Sequence, residues 1–141
     1  MIWTYRIDKT HNLIIIKMIG DVDSTEMKKA YDAIYNDSEF STDFVVLMDK
    51  TDLRQYVVNY EIIQREKKFA IASLAPFIGT RIAVLHGNYN DYGIGRQWQV
   101  ALDDLGFEFR NFVDETEAKA WLSLPEDYVI TIDTEAETRQ V

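Results

Sequence analysis

Apolar positions recur with period two over residues 2–7 (Ile2-Trp3-Thr4-Tyr5-Arg6-Ile7) and close into a β-branched run at Leu13–Met18. Successive side chains of a strand point to opposite faces, so both segments are predicted strands. The polar turn Asp8-Lys9-Thr10-His11-Asn12 joins them as an antiparallel hairpin, and Gly20 ends the second strand. The period then changes. Asp23-Ser24-Thr25-Glu26 has the form of a capping box, in which side-chain oxygens satisfy the free amides of a first helical turn. Met27, Ala30, Tyr31 and Ile34 follow on one helical face.

Phe44–Met48 is continuously apolar, the pattern of a strand covered on both sides, and Asp49-Lys50-Thr51-Asp52 is expected to form the loop beyond it. A second helix is predicted from about Asn59 to Leu74, with Ile62, Ile63, Phe69 and Ala70 on its apolar side and Pro76 and Gly79 to stop it. Arg81–Leu85 is the next buried strand, followed by a polar loop over His86–Asp91. A third helix turns Ile94, Trp98, Ala101, Leu102 and Leu105 inward, and Phe107–Phe112 alternates as the last core strand. Asp114-Glu115-Thr116-Glu117 repeats the capping pattern and opens a short helix through Ala118, Trp121 and Leu122.

The order β-β-α-β-α-β-α-β-α specifies an α/β fold: a single mixed, mainly parallel five-stranded sheet with four helices. Residues 1–123 are read as one domain and residues 124–141 as an acidic C-terminal extension. Within the extension, Tyr128–Ile132 has the character of an extra edge strand, which could also pair with another chain as a homodimer. Residues from Glu135 onward are expected to be disordered.

Composition narrows the function classes. The 141 residues contain no cysteine, which removes disulfides and thiolate chemistry, and two histidines are too few for a histidine-rich metal site. A formal charge of −9 opposes binding to nucleic acid or anionic lipid surfaces. The N-terminus has no basic segment followed by a long apolar run, and Leu13–Ile16 is too short to span a bilayer. A cytoplasmic protein without integral membrane contact is expected.

Several ordered strings carry a family resemblance. They are Leu13–Gly20 before a capped helix, Phe44–Leu53, Arg81–Leu85, Tyr92-Gly93-Ile94-Gly95-Arg96, and Phe107–Phe112 with Asp114, Glu117, Ala118, Trp121 and Leu122. Together, over about residues 1–123, they resemble the small bacterial STAS-like proteins, often called SpoIIAA-like, whose relatives include anti-anti-sigma factors. The resemblance implies a STAS-like fold and places Thr51, within Met48-Asp49-Lys50-Thr51-Asp52-Leu53, at the phosphoacceptor position. Lys50 and Asp52 depart from the serine and glycine of that motif, and Asp52 would repel an added phosphate. Other STAS-like proteins resemble lipid-binding domains, which implies a pocket for an apolar ligand.

Ligands of open α/β sheets bind beyond the carboxyl ends of the strands. Asp49, Lys50, Asp52, Leu53, His86, Asn88 and Asp91 therefore form a candidate interaction rim. Val57, Tyr60, Ile63 and Phe69 are candidates to line an apolar pocket, and the apolar connection Tyr56–Tyr60 is a candidate lid or docking patch. Gly93 and Gly95 are read as points where helix and sheet approach closely, Trp98 and Trp121 as core, and Trp3 and Tyr5 as partly exposed. The spacing of Asp49 and Asp52 does not suit a metal-dependent phosphatase, and no Gly-x-Ser-x-Gly elbow presents a nucleophile. The sequence supports no catalytic residue, metal or cofactor. An enzyme using Asp49, His86 and Arg96 is the outlying alternative. The expected role is a non-catalytic regulatory module for an unidentified protein partner, gated through Thr51; the alternative is a binding module for a small apolar or lipid-like molecule.

Overall fold

The computed structural model describes residues 1–54, 59–130 and 139–140. β1 (Ile2–Asp8) and β2 (Leu13–Gly20) form the antiparallel hairpin, with Asp8 opposite Leu13 and Ile2 opposite Ile19. Asn12 turns the chain at φ 51°, a left-handed conformation that asparagine tolerates. β2, β3 (Val45–Leu53), β4 (Arg81–His86) and β5 (Glu108–Phe112) are parallel. Across the sheet the order is β5-β4-β3-β2-β1, with a two-residue strand, β6 (Arg139–Gln140), antiparallel on the outside of β1.

From β1 to β5, successive strands are spatial neighbours. Crossovers of one hand therefore carry α1 (Ser24–Tyr35), α2 (Tyr60–Leu74) and α3 (Tyr89–Leu102) to the same face. On that first face Ile14, Ile16, Met18, Val46, Met48, Ile82 and Val84 pack against Ala30, Tyr31, Ile34, Leu74 and Leu102. The alternate residues Leu13, Ile15, Leu47, Ala83 and Leu85 point to the second face, under Ala118 of α4 (Glu115–Trp121) and Leu122. Asp23 and Asp114 cap α1 and α4 as expected, and Asn59 and Asn88 do the same for α2 and α3.

Four expectations are corrected. β3 does not end at Met48: parallel pairing with β2 and β4 carries it through Asp49-Lys50-Thr51-Asp52 to Leu53. Trp3 and Tyr5 are buried, because α1 and the chain beyond it cover β1 on the first face; the Tyr5 hydroxyl donates to Asp37 Oδ2 at 2.7 Å. Tyr128–Ile130 is not a strand. It follows Leu124 across the second face, where Leu124 and Ile130 are buried in the core under α4. The edge position falls instead to Arg139–Gln140, within the stretch expected to be disordered, while residues 131–138 and 141 lie outside the described part of the chain.

The strap from Leu124 to Ile130 is fastened by a residue that periodicity did not single out. Lys119 is buried on α4, and its ammonium donates to the Glu126 carbonyl at 2.8 Å and the Tyr128 carbonyl at 3.0 Å. Arg6 Nη2 donates to the Val129 carbonyl at 3.2 Å, and the Tyr128 hydroxyl donates to Asp8 Oδ2 at 2.6 Å. Each apolar side chain buried here contributes about 2 kcal/mol, and the lysine supplies direction that apolar burial lacks.

Candidate functional site

Strand register orders the first face into rows. Val46, Ile82 and Phe109 form one row, Met48, Val84 and Asn111 the next, and Lys50 and His86 the last. The floor therefore passes from apolar to polar toward the C-terminal ends of the strands. Between this floor and the helices lies a cavity of about 130 Å³. Met27 and Tyr31 of α1, Phe69, Ala70, Ser73 and Leu74 of α2, and Ile94, Trp98 and Leu102 of α3 form most of its walls. Lys50, Leu53, Arg54, Glu66, His86, Asp91 and Asn111 provide its polar groups and rim.

A buried network sets the polar end. His86 Nε2 lies 2.7 Å from Asn111 Oδ1, and Asn111 Nδ2 donates to Gln99 Oε1 at 3.0 Å. With its amide nitrogen committed to Gln99, Asn111 presents an acceptor, so His86 carries its proton on Nε2. Burial and the nearby Lys50 charge hold the imidazole below its ordinary value, and the Asn111 bond opposes them incompletely. The lowered value favours the neutral imidazole.

Lys50 points into the cavity from β3. Burial pushes its ammonium down to about 8. Among the described residues it has no ion pair or hydrogen bond, in contrast to Lys17 and Lys119. Lys50 is half-buried, whereas Ser73 beside the cavity is buried, and its hydroxyl has no partner among the described residues.

The candidate rim is divided between the two faces. Lys50, Leu53, His86 and Asp91 line the cavity. Asn88 instead caps α3: its Oδ1 accepts from the Asp91 amide at 2.8 Å. Asp49 and Asp52 lie on the second face, where Lys17 reaches Asp49 Oδ2 at 3.2 Å and Asp52 Oδ2 at 3.0 Å. Alternation alone would put residues three apart on opposite faces, but the pairing of β2 with β3 is irregular between Lys17 and Ile19. One extra residue in β3 brings both carboxylates to the same lysine. Burial opposes the Lys17 charge, yet the Asp52 and Asp49 carboxylates prevail and raise its pKa.

Thr51 is exposed, and its hydroxyl donates to Asp49 Oδ1 at 2.6 Å. Of the expected pocket residues, Phe69 lines the cavity, Ile63 is buried on α2 but does not, and Tyr60 is 74% exposed at the start of α2. Val57, with Tyr56 and Val58, lies outside the described residues. Arg96 is exposed, and His11 lies 2.9 Å from Asp8 Oδ2 in the hairpin turn. Trp98, read as core, packs against the first-face core as expected and also walls the cavity, whereas Asn111 of the floor was not singled out. The polar side chain of Asn111 at an inward position of Phe107–Phe112 is the signal that was available.

Gly95 explains how α3 reaches the floor. A Cβ there would lie 2.2 Å from Asn111 Oδ1 and 2.5 Å from His86 Nε2, whereas a Cβ at Gly93 would meet nothing within 4 Å. Close helix approach therefore depends on Gly95 alone of the pair. Among the described residues, no group of three His, Cys, Asp or Glu side chains is placed to hold a metal ion, and no helix is long and apolar enough to cross a membrane.

No family model and no curated protein matches the chain. A similar solved structure is an uncharacterized protein of the DUF3478 family with a SpoIIAA-like fold, from Shewanella loihica PV-4. It superposes with a TM-score of 0.55 at 19% identity, over 86% of this chain and 95% of that one. Strand order, helix placement and this superposition agree that the chain has a SpoIIAA-like, STAS-like fold.

Proposed function

We propose that this protein is a non-catalytic binding module that holds a small, largely apolar molecule between the first face of its sheet and helices α1, α2 and α3. The observation that carries this reading is the cavity itself, apolar along most of its walls with a few polar groups gathered at one end. That is the usual composition of a small-molecule site. An apolar cavity of about 150 Å³ accepts benzene, so a volume of about 130 Å³ suits a molecule, or an inserted group, of roughly six carbons.

A regulatory role fits the same site through its exposed rim. Tyr60 and Tyr89 begin α2 and α3 at the carboxyl end of the sheet, and both are largely exposed. A protein partner docking on these rings would cover the carboxyl end of the sheet. Exposed aromatics are effective contact groups because they bury much area with few rotatable bonds.

Native mass spectrometry of protein purified from its own host, followed by the same sample denatured, tests the reading. A bound mass that disappears on denaturation, and that is absent from an Ala70→Phe variant with a filled cavity, is the expected result. A bare chain in every sample, together with no thermal shift from 1-hexanol or toluene, would overturn it.

A further inference from the structure

The cavity has one chemical demand that an apolar molecule leaves unmet. Lys50 sits in the polar row beside His86, and the groups facing it are accounted for. The proton of His86 is committed to Asn111, and Asn111 in turn is committed to Gln99. Arg54 lies 3.6 Å from Asp21. Asp91 of α3 receives the Asn88 side-chain amide nitrogen on Oδ2 at 3.2 Å, while its buried Oδ1 has no partner among the described residues. Glu66 lines the α2 wall. Among the described residues, neither carboxylate is within ion-pair distance of Lys50. Lys50 is half-buried against the cavity; an ammonium partly withdrawn from water without a counter-ion is costly, and a ligand that brings one satisfies it.

We propose that the cavity selects a small apolar monocarboxylate, its acid group held by Lys50 and its hydrocarbon part among Met27, Tyr31, Leu74, Trp98 and Leu102. The inference rests on the cavity reading above and adds the charge of the occupant. A single carboxylate fits better than a phosphate. Lys50 is one positive charge, Glu66 and Asp91 line the same cavity, and the chain carries a formal charge of −9, so a second negative charge would be repelled. The tail direction follows from the floor, which becomes apolar one row behind Lys50 at Met48 and Val84.

Calorimetric titration of the full chain at pH 7 with hexanoate and with 1-hexanol, equal in carbon number and different in charge, provides the test. Hexanoate is expected to bind about tenfold to a hundredfold more tightly than 1-hexanol, the ratio of a charge-assisted hydrogen bond to a neutral contact. Lys50→Met, with Lys50→Gln as a second neutral variant, should abolish that preference and retain 1-hexanol binding. Equal binding of the two probes, or a preference that survives both substitutions, overturns the carboxylate inference while 1-hexanol binding upholds the cavity. Failure of both probes to bind overturns the cavity reading and this inference with it.

Discussion

Gly95 of α3 lies so close over Asn111 of β5 that the smallest side chain would place its Cβ 2.2 Å from the amide oxygen. The contact closes the His86–Asn111–Gln99 network from above and sets the height of α3 over the cavity. Gly95→Ala is expected to destabilise the fold by about 1–3 kcal/mol through overpacking, despite alanine's better helix propensity. Gly93→Ala, two residues away in open space, should be neutral or stabilising by up to about 1 kcal/mol. Urea unfolding of the two variants side by side checks this; equal effects would refute the contact.

Lys50 should make stability depend on pH in an unusual direction. Its folded value, about 8, is below the ordinary 10.5, so the folded state disfavours the proton. Below pH 8 both states carry the charge and the full penalty is present; as pH rises from 8 toward 10.5 the folded protein sheds it first, and the penalty is relieved. Lys50→Met should therefore stabilise the protein at pH 7 by about 1–3 kcal/mol, an advantage that shrinks by pH 10. The comparison is between variant and parent, because burial also raises Tyr35 and raises Tyr128 to about 12, and both oppose stability at high pH in each protein. Thermal melts between pH 7 and 10 read out the difference.

Lys119 fastens the strap that covers the second face. Lys119→Ala removes two charge-assisted bonds to the Glu126 and Tyr128 carbonyls and should cost about 2–3 kcal/mol. Hydrogen exchange at residues 126–130 should accelerate more than exchange in β2 or β3. Uniform acceleration across the chain would show that the lysine supports the core and not the strap.

Thr51 tests the phosphorylation gate. Its hydroxyl donates to Asp49 in a cluster where Lys17 already serves Asp49 and Asp52. A phosphoryl group adds about −1.5 to −2 charges and would meet both carboxylates with one lysine between them. Thr51→Glu is expected to loosen the end of β3, seen as faster hydrogen exchange over residues 49–53, whereas Thr51→Val should not. Unchanged exchange in Thr51→Glu would mean that this end of the sheet tolerates the charge and that a gate has no structural lever here.

The elements were legible because each has a local cause. Asp23 and Asp114 announce helix starts through side-chain oxygens, and the runs at Leu13–Ile16, Val45–Met48 and Ile82–Leu85 are apolar because the sheet is covered on both faces. The end of β3 misled because Asp49-Lys50-Thr51-Asp52 is polar, and polarity there reflects an ion cluster on one face and a cavity on the other, not departure from the sheet. Lys119 was illegible for a related reason. A lysine in a short helix normally reaches solvent, and only the returning strap makes it a buried anchor.

Local patterning specifies the α/β class, the order of strands and helices, the caps and the paired apolar faces, because period and capping depend on residues within a few positions of one another. Which polar side chains share a site is set by packing between distant segments. The irregular pairing of β3 joins Asp49 and Asp52 on Lys17 and leaves Lys50 on the other face, and Gly95 lets a distant helix settle over His86 and Asn111. Such juxtapositions depend on register and on the close approach of segments far apart in the chain, which no local pattern encodes.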